Sequence, residues 1–405
     1  MIKKMTAPSQ KTVVPIPIYD RYLLFAALAL ITLGLLMVYS TSIVISEKTF
    51  GHPFYFVIRQ SIYLILSFIL AGILLRIPLK LWEKMGTNLL FISIFLLVLV
   101  LVPGIGKQVN GSMRWIGFGP IGFQVSEFAK LSVVVFMAGY LVRREEEVRT
   151  QLSGFIKPMI LLSLMAILLL KEPDFGAATV VMATALGMMF LAGVRLWQFL
   201  GLLALVVSAL AILAVSSPYR VARLTTFLNP WAVRYDGGYQ LTQSLIAFGR
   251  GGWSGVGLGG SVQKLFYLPE AHTDFLLAVL GEELGLWGLI TVTSLFILLI
   301  ARALIIGRKA YLENKHFSAY LAYGLGLWLA FQTMINMGVN LGVLPTKGLT
   351  LPLMSYGGSS MLIAVAVIAL LLRIDYEWRL DFYGLKSKLQ QTTKQVNSYA
   401  KVKFK

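Results

Sequence analysis

The sequence predicts an all-α integral membrane protein of about ten transmembrane helices. Both termini are expected in the cytoplasm, with one long extracytoplasmic loop between spans seven and eight. Three observations carry this expectation. Hydrophobic residues make up 57% of the chain and charged ones only 13%, where soluble domains hold roughly 25% charged residues. Apolar runs bounded by charges recur at lengths near the ~20 residues that cross a bilayer. The basic residues, finally, are unevenly shared between alternate loops.

In order, the candidate spans are 22–45, 58–76, 86–103, 125–142, 156–171, 175–194, 196–216, 274–301, 318–345 and 351–373. The second and fifth are short between their charges and would tilt little or borrow flanking residues. An even count returns the chain to the side on which it started. Two thirds of the 36 lysines and arginines fall in the tails and the even-numbered loops. Long loops such as 216–273 escape the positive-inside rule, so this bias places both ends in the cytoplasm. The chain then divides into a tail at 1–21, a ten-helix domain at 22–373 and a basic tail at 374–405.

The formal charge of +18 follows from that topology and from attraction to anionic lipid, not from nucleic-acid binding. There is no cysteine, so disulfides and thiolate metal sites are excluded. The first apolar run is long enough to span and stay, and no cleavable signal is expected. Arg143 to Arg149 (RREEEVR) reads as a solvated cytoplasmic turn.

On the opposite side the polar residues are unusual. Arg114 and Trp115 precede span four, and Glu127 and Lys130 lie three apart within it, on one helix face. That pair reads either as a structural ion pair or as part of a substrate cavity. Trp115 is an interfacial anchor or a substrate contact. Asp174, in the turn Lys171 to Gly176, suits a helix cap. The long loop carries Arg220, Arg223, Arg234, Arg250 and Lys264, which could attract phosphate or lipid headgroups. Its glycines between Gly249 and Gly260 suggest a loop that bends sharply or moves, and no Lys-Ser or Lys-Thr follows to make a nucleotide loop.

LPEAHTDF (Leu268 to Phe275) then brings Glu270, His272 and Asp274 together at the mouth of span eight. A carboxylate there is costly unless hydrated, paired or used, which makes Asp274 a functional candidate. Glu282 and Glu283 are deeper and should be hydrogen-bonded or protonated. Gln332, Asn336 and Asn340 recur at every fourth position, as one polar stripe for interhelical bonding or for a cavity wall. Lys347 lies just beyond it. No metal-ligand spacing and no serine–histidine–acid signature stands out.

The strings NGSMRWI, QVSEFAK, EPDFG, YRVARLTTFLNPW, GYQLTQSLIAFGRGGWSGVGLG, LPEAHTDF and NMGVNLGVLPTKGLTLPLMSYGGSS run from Asn110 to Ser360. Together they resemble the SEDS family (shape, elongation, division and sporulation), multispan peptidoglycan polymerases. Division-type members are the better match, because elongation-type ones usually lack the lysine that is Lys347 here. QVSEFAK and EPDFG depart slightly from the usual pattern, which has a proline before the serine and glutamine in place of Glu172.

The resemblance implies the ten-span fold and polymerisation of lipid II outside the plasma membrane at the division septum. It carries the family's essential aspartate onto Asp274. It also implies a class B penicillin-binding protein (a transpeptidase) and other division membrane proteins as partners. Arg114, Glu127, Lys130, Arg220, Arg223, His272 and Lys347 are then candidate substrate-binding residues. A divalent cation, Mg or Mn, could share the neutralisation of diphosphate, though no ligand cluster identifies one. The competing readings are a lipid II flippase, favoured by the number of spans and the in-membrane charges, and an elongation-type polymerase.

Overall fold

The computed structural model describes residues 19–382, apart from 110–111, 119–120 and most of 196–226. Helices dominate, because a helix satisfies its own backbone in a medium that offers no partners. Seven are long and apolar enough to cross a membrane: α1 (Arg21–Phe50), α2 (Tyr55–Leu74), α3 (Leu79–Val100), α4 (Val125–Arg143), α6 (Leu152–Lys171), α9 (Leu276–Leu312) and α11 (Gly358–Phe382). α7 (Phe175–Leu191) is apolar but shorter, and α10 (His316–Asn340) carries the polar stripe. Two further helices, α5 (Glu145–Thr150) and α8 (Tyr239–Gly251), complete the described set. The expected span at 196–216 lies mostly outside the described residues, as do the tails.

α4 and α11 form the centre and are buried on nearly all sides. α2 packs on α1 and α11, while α3 packs on α4, so these two successive helices share little contact. Each buries one narrow face and leaves large apolar side chains such as Ile62, Ile69 and Phe95 exposed, as lipid-facing helices do.

One element departs from the all-helical expectation. Between α3 and α4 lies a small antiparallel sheet of β1 (Gly106–Val109), β2 (Ser112–Phe118) and β3 (Ile121–Gln124), in that order. The Asn-Gly and Gly-Pro dipeptides in the sequence between these strands are common hairpin signals. β3 runs straight into α4, and Gln124 N donates to Ser359 Oγ at 2.9 Å, which docks the sheet on α11.

Two expected boundaries also move. α9 continues to Leu312 and is broken at Gly285, whose φ of 65° and ψ of −159° no other residue adopts easily. The glycine-rich loop repairs the break. Val256 N and Gly257 N donate to Glu282 O and Glu283 O at 3.0 Å, and Leu286 N donates to Gly252 O at 3.0 Å. Those carbonyls would otherwise serve the amides of Leu286 and Trp287 four residues on. Side chains seal the splice. Glu282 accepts from Arg250 Nη1 at 2.8 Å, from the Ser261 hydroxyl and from Val262 N at 3.1 Å. Glu283 accepts from Ser40 Oγ at 2.7 Å and Lys264 Nζ at 2.8 Å.

The last span starts at Gly358 instead of 351, because Leu351 to Ser355 form a buried irregular turn. Its polar groups are answered from three directions. Gln60 Nε2 donates to Ser355 O at 3.3 Å, Tyr356 N donates to His272 O at 2.9 Å, and Ser355 Oγ accepts from Leu351 N at 2.9 Å. Non-helical backbone of this kind is tolerated where protein surrounds it.

A methyl group on Gly285 would meet Gly255 N at 2.3 Å. Gly285→Ala should therefore cost about 2–4 kcal/mol from strain and overpacking, read as a lower thermal midpoint in detergent. Gly72→Ala, at an exposed helical position with open space around it, should leave that midpoint unchanged or raise it slightly.

Candidate active site

Asp274 stands two residues ahead of α9, outside the spanning segment, and its backbone is held with unusual care. Its carbonyl accepts from Asn336 Nδ2 and Asn340 Nδ2, both at 2.9 Å. Asn336 Nδ2 also reaches Leu349 O at 2.6 Å, and Asn340 Oδ1 accepts from Ala278 N at 3.2 Å. The stripe on α10 therefore pins the start of α9 and the following loop to one another. This is interhelical bonding, the first of the two readings open from the sequence.

The Asp274 side chain is half-buried and opens on a cavity of about 80 Å³ lined by Gln240, Glu270, Phe275, Thr346, Lys347 and Gly348. That space takes several waters or the edge of a sugar. Gly348 is required by proximity: a Cβ there would lie 2.9 Å from Asp274 Oδ2 and cover the carboxyl. Burial, reinforced by the neighbouring Glu270 and then by Asp174, pushes the Asp274 carboxyl up to about 7 against the opposing pull of Arg114.

Arg114, on β2, donates to Glu172 O at 3.2 Å and Pro173 O at 2.7 Å, which ties the sheet to the α6–α7 turn. In that turn Asp174 caps α7 by accepting from Ala177 N at 3.1 Å, as the sequence suggested. The Glu172 carboxyl is fully buried, and neither oxygen has a hydrogen-bond partner. Burial first, then Asp174, raise it to about 8, so it is mainly neutral at pH 7 and does little to offset the Arg114 charge. Lys347 lies over the Phe175 ring, 4.5 Å from its centroid, at the cavity wall. One end of the bundle thus gathers a basic carboxyl, a small polar cavity and two cations.

Residues 21–380 match the model of the FtsW/RodA/SpoVE family of cell cycle proteins. The chain belongs to that family. It is 58% identical to the probable peptidoglycan glycosyltransferase FtsW of Legionella pneumophila, over 92% of this chain and 94% of that one. Identity to the protein of the same name from Coxiella burnetii is 57%, over 89% and 96%. Among solved structures it is similar to a chain from work on the structural coordination of polymerization and crosslinking by a peptidoglycan synthase complex, with a TM-score of 0.73 and 29% identity over 89% of this chain and 98% of that one. The rod shape determining protein RodA of Thermus thermophilus matches with a TM-score of 0.64 and 28% identity, over 88% and 96%.

The other sequence-derived candidates sort by position. Glu127 and Lys130 form a buried ion pair at 2.9 Å, and Lys130 Nζ also donates to Gln332 Oε1 at 2.7 Å. Gln332 Nε2 in turn donates to Thr350 O at 3.0 Å. Neither charge lines the Asp274 cavity; they brace the loop that passes over it. His272 is buried with its ring against Phe56 and Tyr356, at centroid distances of 4.6 and 5.5 Å. Burial holds it below its ordinary value, so it is neutral at pH 7. Arg220 and Arg223 lie outside the described residues. Glu282 and Glu283 are hydrogen-bonded in the loop splice, one of the two outcomes expected of them.

Gln240, Thr346 and Gly348 were not singled out from sequence, and nothing short of three-dimensional proximity marks them. Glu270 was visible, four residues before Asp274. Among the described residues, no group of three or more His, Asp or Glu side chains is placed to hold a metal ion, so no step is assigned to a divalent cation.

Lys130→Met would strand the buried Glu127 carboxylate and should cost about 3–5 kcal/mol, measured as a fall in the detergent thermal midpoint. Replacing both members with apolar residues should recover most of that loss. If Lys130 instead served substrate alone, the single variant would unfold normally and only its KM would rise.

Proposed function

We propose that this multi-pass membrane protein is a peptidoglycan glycosyltransferase that polymerises lipid II at the extracytoplasmic face during division. One observation carries the reading: a half-buried carboxyl made basic near neutral pH opens on a small polar cavity beside Arg114 and Lys347. The curated relatives bear the same activity in their names, and their high identity favours the division-type enzyme over the elongation-type one.

The substrate chemistry fits that end of the bundle. A sugar 4-hydroxyl attacks an anomeric carbon, the α-linked diphosphate leaves, and a β-1,4 bond forms by a single inverting displacement. Asp274 receives the hydroxyl proton as general base, a role best filled by a group whose pKa lies near the working pH. Glycosidases add a second, protonated carboxyl to help the leaving oxygen depart. Diphosphate departs as a stable anion, so cations suffice there: Arg114 and Lys347 among the described residues, with Arg220 and Arg223 proposed to join them. The lipid tails would lie against the exposed apolar faces of α2 and α3, where these helices diverge.

A flippase would need a polar path through the bundle. The deep charges instead support a different picture, since Glu127, Lys130, Glu282, Glu283 and Lys264 are all engaged with one another or with loops. A class B penicillin-binding protein, as transpeptidase, is the proposed partner, in keeping with the synthase complex named for one structural neighbour. The plasma membrane and the septum are the proposed location.

Asp274→Asn should abolish strand formation from purified lipid II by the full-length chain in vesicles; normal polymerisation would remove Asp274 as the base. The variant should nonetheless fold. A carboxyl raised in the folded state costs stability as pH climbs from its unfolded value of ~3.9 through about 7. Asp274→Asn relieves that cost, so its thermal midpoint should exceed the parent's at pH 8 and match it near pH 3.5. For the parent, kcat/KM should rise with pH through about 7, where the base ionises.

A further inference from the structure

The Asp274 cavity has a second acidic wall. Glu270 lines it from the same loop, and its backbone sits in the left-handed region at φ 56°. A side chain other than glycine's rarely takes that conformation, and strain of this kind persists where surrounding contacts enforce it. Here they do. Thr273 N and Phe275 N both donate to Glu270 O, at 3.1 and 3.2 Å, and Thr273 Oγ1 donates to Glu270 Oε2 at 2.7 Å. The tight turn brings the Glu270 side chain to the wall that Asp274 also lines.

Two acidic side chains on one small cavity are an odd arrangement for a site that must receive an anionic substrate. Asp174 adds a third acid from the α6–α7 turn, against Arg114 from β2 and Lys347 from the α10–α11 loop. Gln240 from α8 brings no charge, and the His272 ring is turned into the aromatic pair Phe56 and Tyr356. Cations are thus present, yet the charged neighbour that acts most strongly on Asp274 is another acid on the same cavity wall. A negative neighbour disfavours the ionised form of a carboxyl and so makes it a stronger base. For transferring a proton from a sugar hydroxyl, that is a gain.

We propose that Glu270 is a positioning residue: its left-handed turn holds a second carboxylate on the wall of the Asp274 cavity, so that Asp274 is the group that takes the acceptor hydroxyl's proton. The proton moves from the acceptor hydroxyl to Asp274 as the new bond forms to the anomeric carbon and the bond to diphosphate breaks. Glu270 takes no proton in this step and touches no reacting atom. Burial remains the larger cause of Asp274's basicity, with Glu270 the next. This rests on the reading of Asp274 as the base.

The test is the pH dependence of strand formation from lipid II by the full-length chain in vesicles, for the parent, Glu270→Gln, Thr273→Val and Asp274→Asn. Glu270→Gln keeps shape and removes charge. Its acidic limb should move to lower pH by about half a unit or more, and its rate at the alkaline plateau should fall several-fold because the base is weaker. Thr273→Val, which removes one hydrogen bond that orients the Glu270 carboxylate, should shift the limb in the same direction by less. A lower plateau with an unmoved limb would overturn the proposal and make Glu270 a structural or substrate-contact residue. An unchanged profile would overturn it as well. Activity in Asp274→Asn would instead sink the assignment of the base, so the two failures are distinguishable.

Discussion

The carbonyl oxygen of Asp274 is the point on which the rest of this structure depends. Two amide side chains from α10 close on it at 2.9 Å each, which fixes where α9 begins and therefore where its acidic neighbour points. Amides suit this position because they are neutral, leaving the local charge balance untouched, and because they donate and accept at once. The same pair reaches Leu349 O and Ala278 N. Two irregular stretches of backbone and the first turn of α9 are thereby satisfied from one helix face, in a setting where a backbone group left unmet is expensive.

Charge follows a complementary logic. Away from the cavity each deep acid has its cation: Glu127 with Lys130, Glu282 with Arg250, Glu283 with Lys264, and Asp20 with Arg302 at the opposite end of α1. Around the cavity the balance is different, with acids from two loops and a neutral, buried Glu172 beside Arg114. Pairing elsewhere stabilises the bundle without chemistry. Burial, reinforced by the imbalance here, yields a carboxyl whose affinity for a proton lies near neutrality, the property a general base requires.

Much of the fold could be read from hydropathy, since apolar runs between charges located most of the described spanning helices, although the third, eighth and tenth expected spans missed a boundary by seven or more residues. The exceptions have physical causes. The sheet lies in a glycine-rich connection whose strands, of 4, 7 and 4 residues, are too short to show a clear alternation. The late start of α11 reflects Leu351 to Ser355 being apolar like a span, yet turned by Pro352 and held through side-chain bonds from distant residues. Spacing exposed the Glu127–Lys130 pair, because three residues make one helix face. It could not reveal that Gln332, 202 positions from Lys130, would complete it. Nor could it distinguish a glycine-rich loop that moves from one that is welded into place.

That weld has a consequence for how the chain is built. Val256 and Gly257 are synthesised before α9, yet their amides find partners only when Glu282 and Glu283 have been made. Until then α9 would enter the bilayer with a gap in its hydrogen-bond ladder, open to hydrocarbon. Insertion of this helix and docking of the preceding loop must therefore be a single cooperative event, and the machinery that releases helices into lipid has to hold both together until the seam is closed.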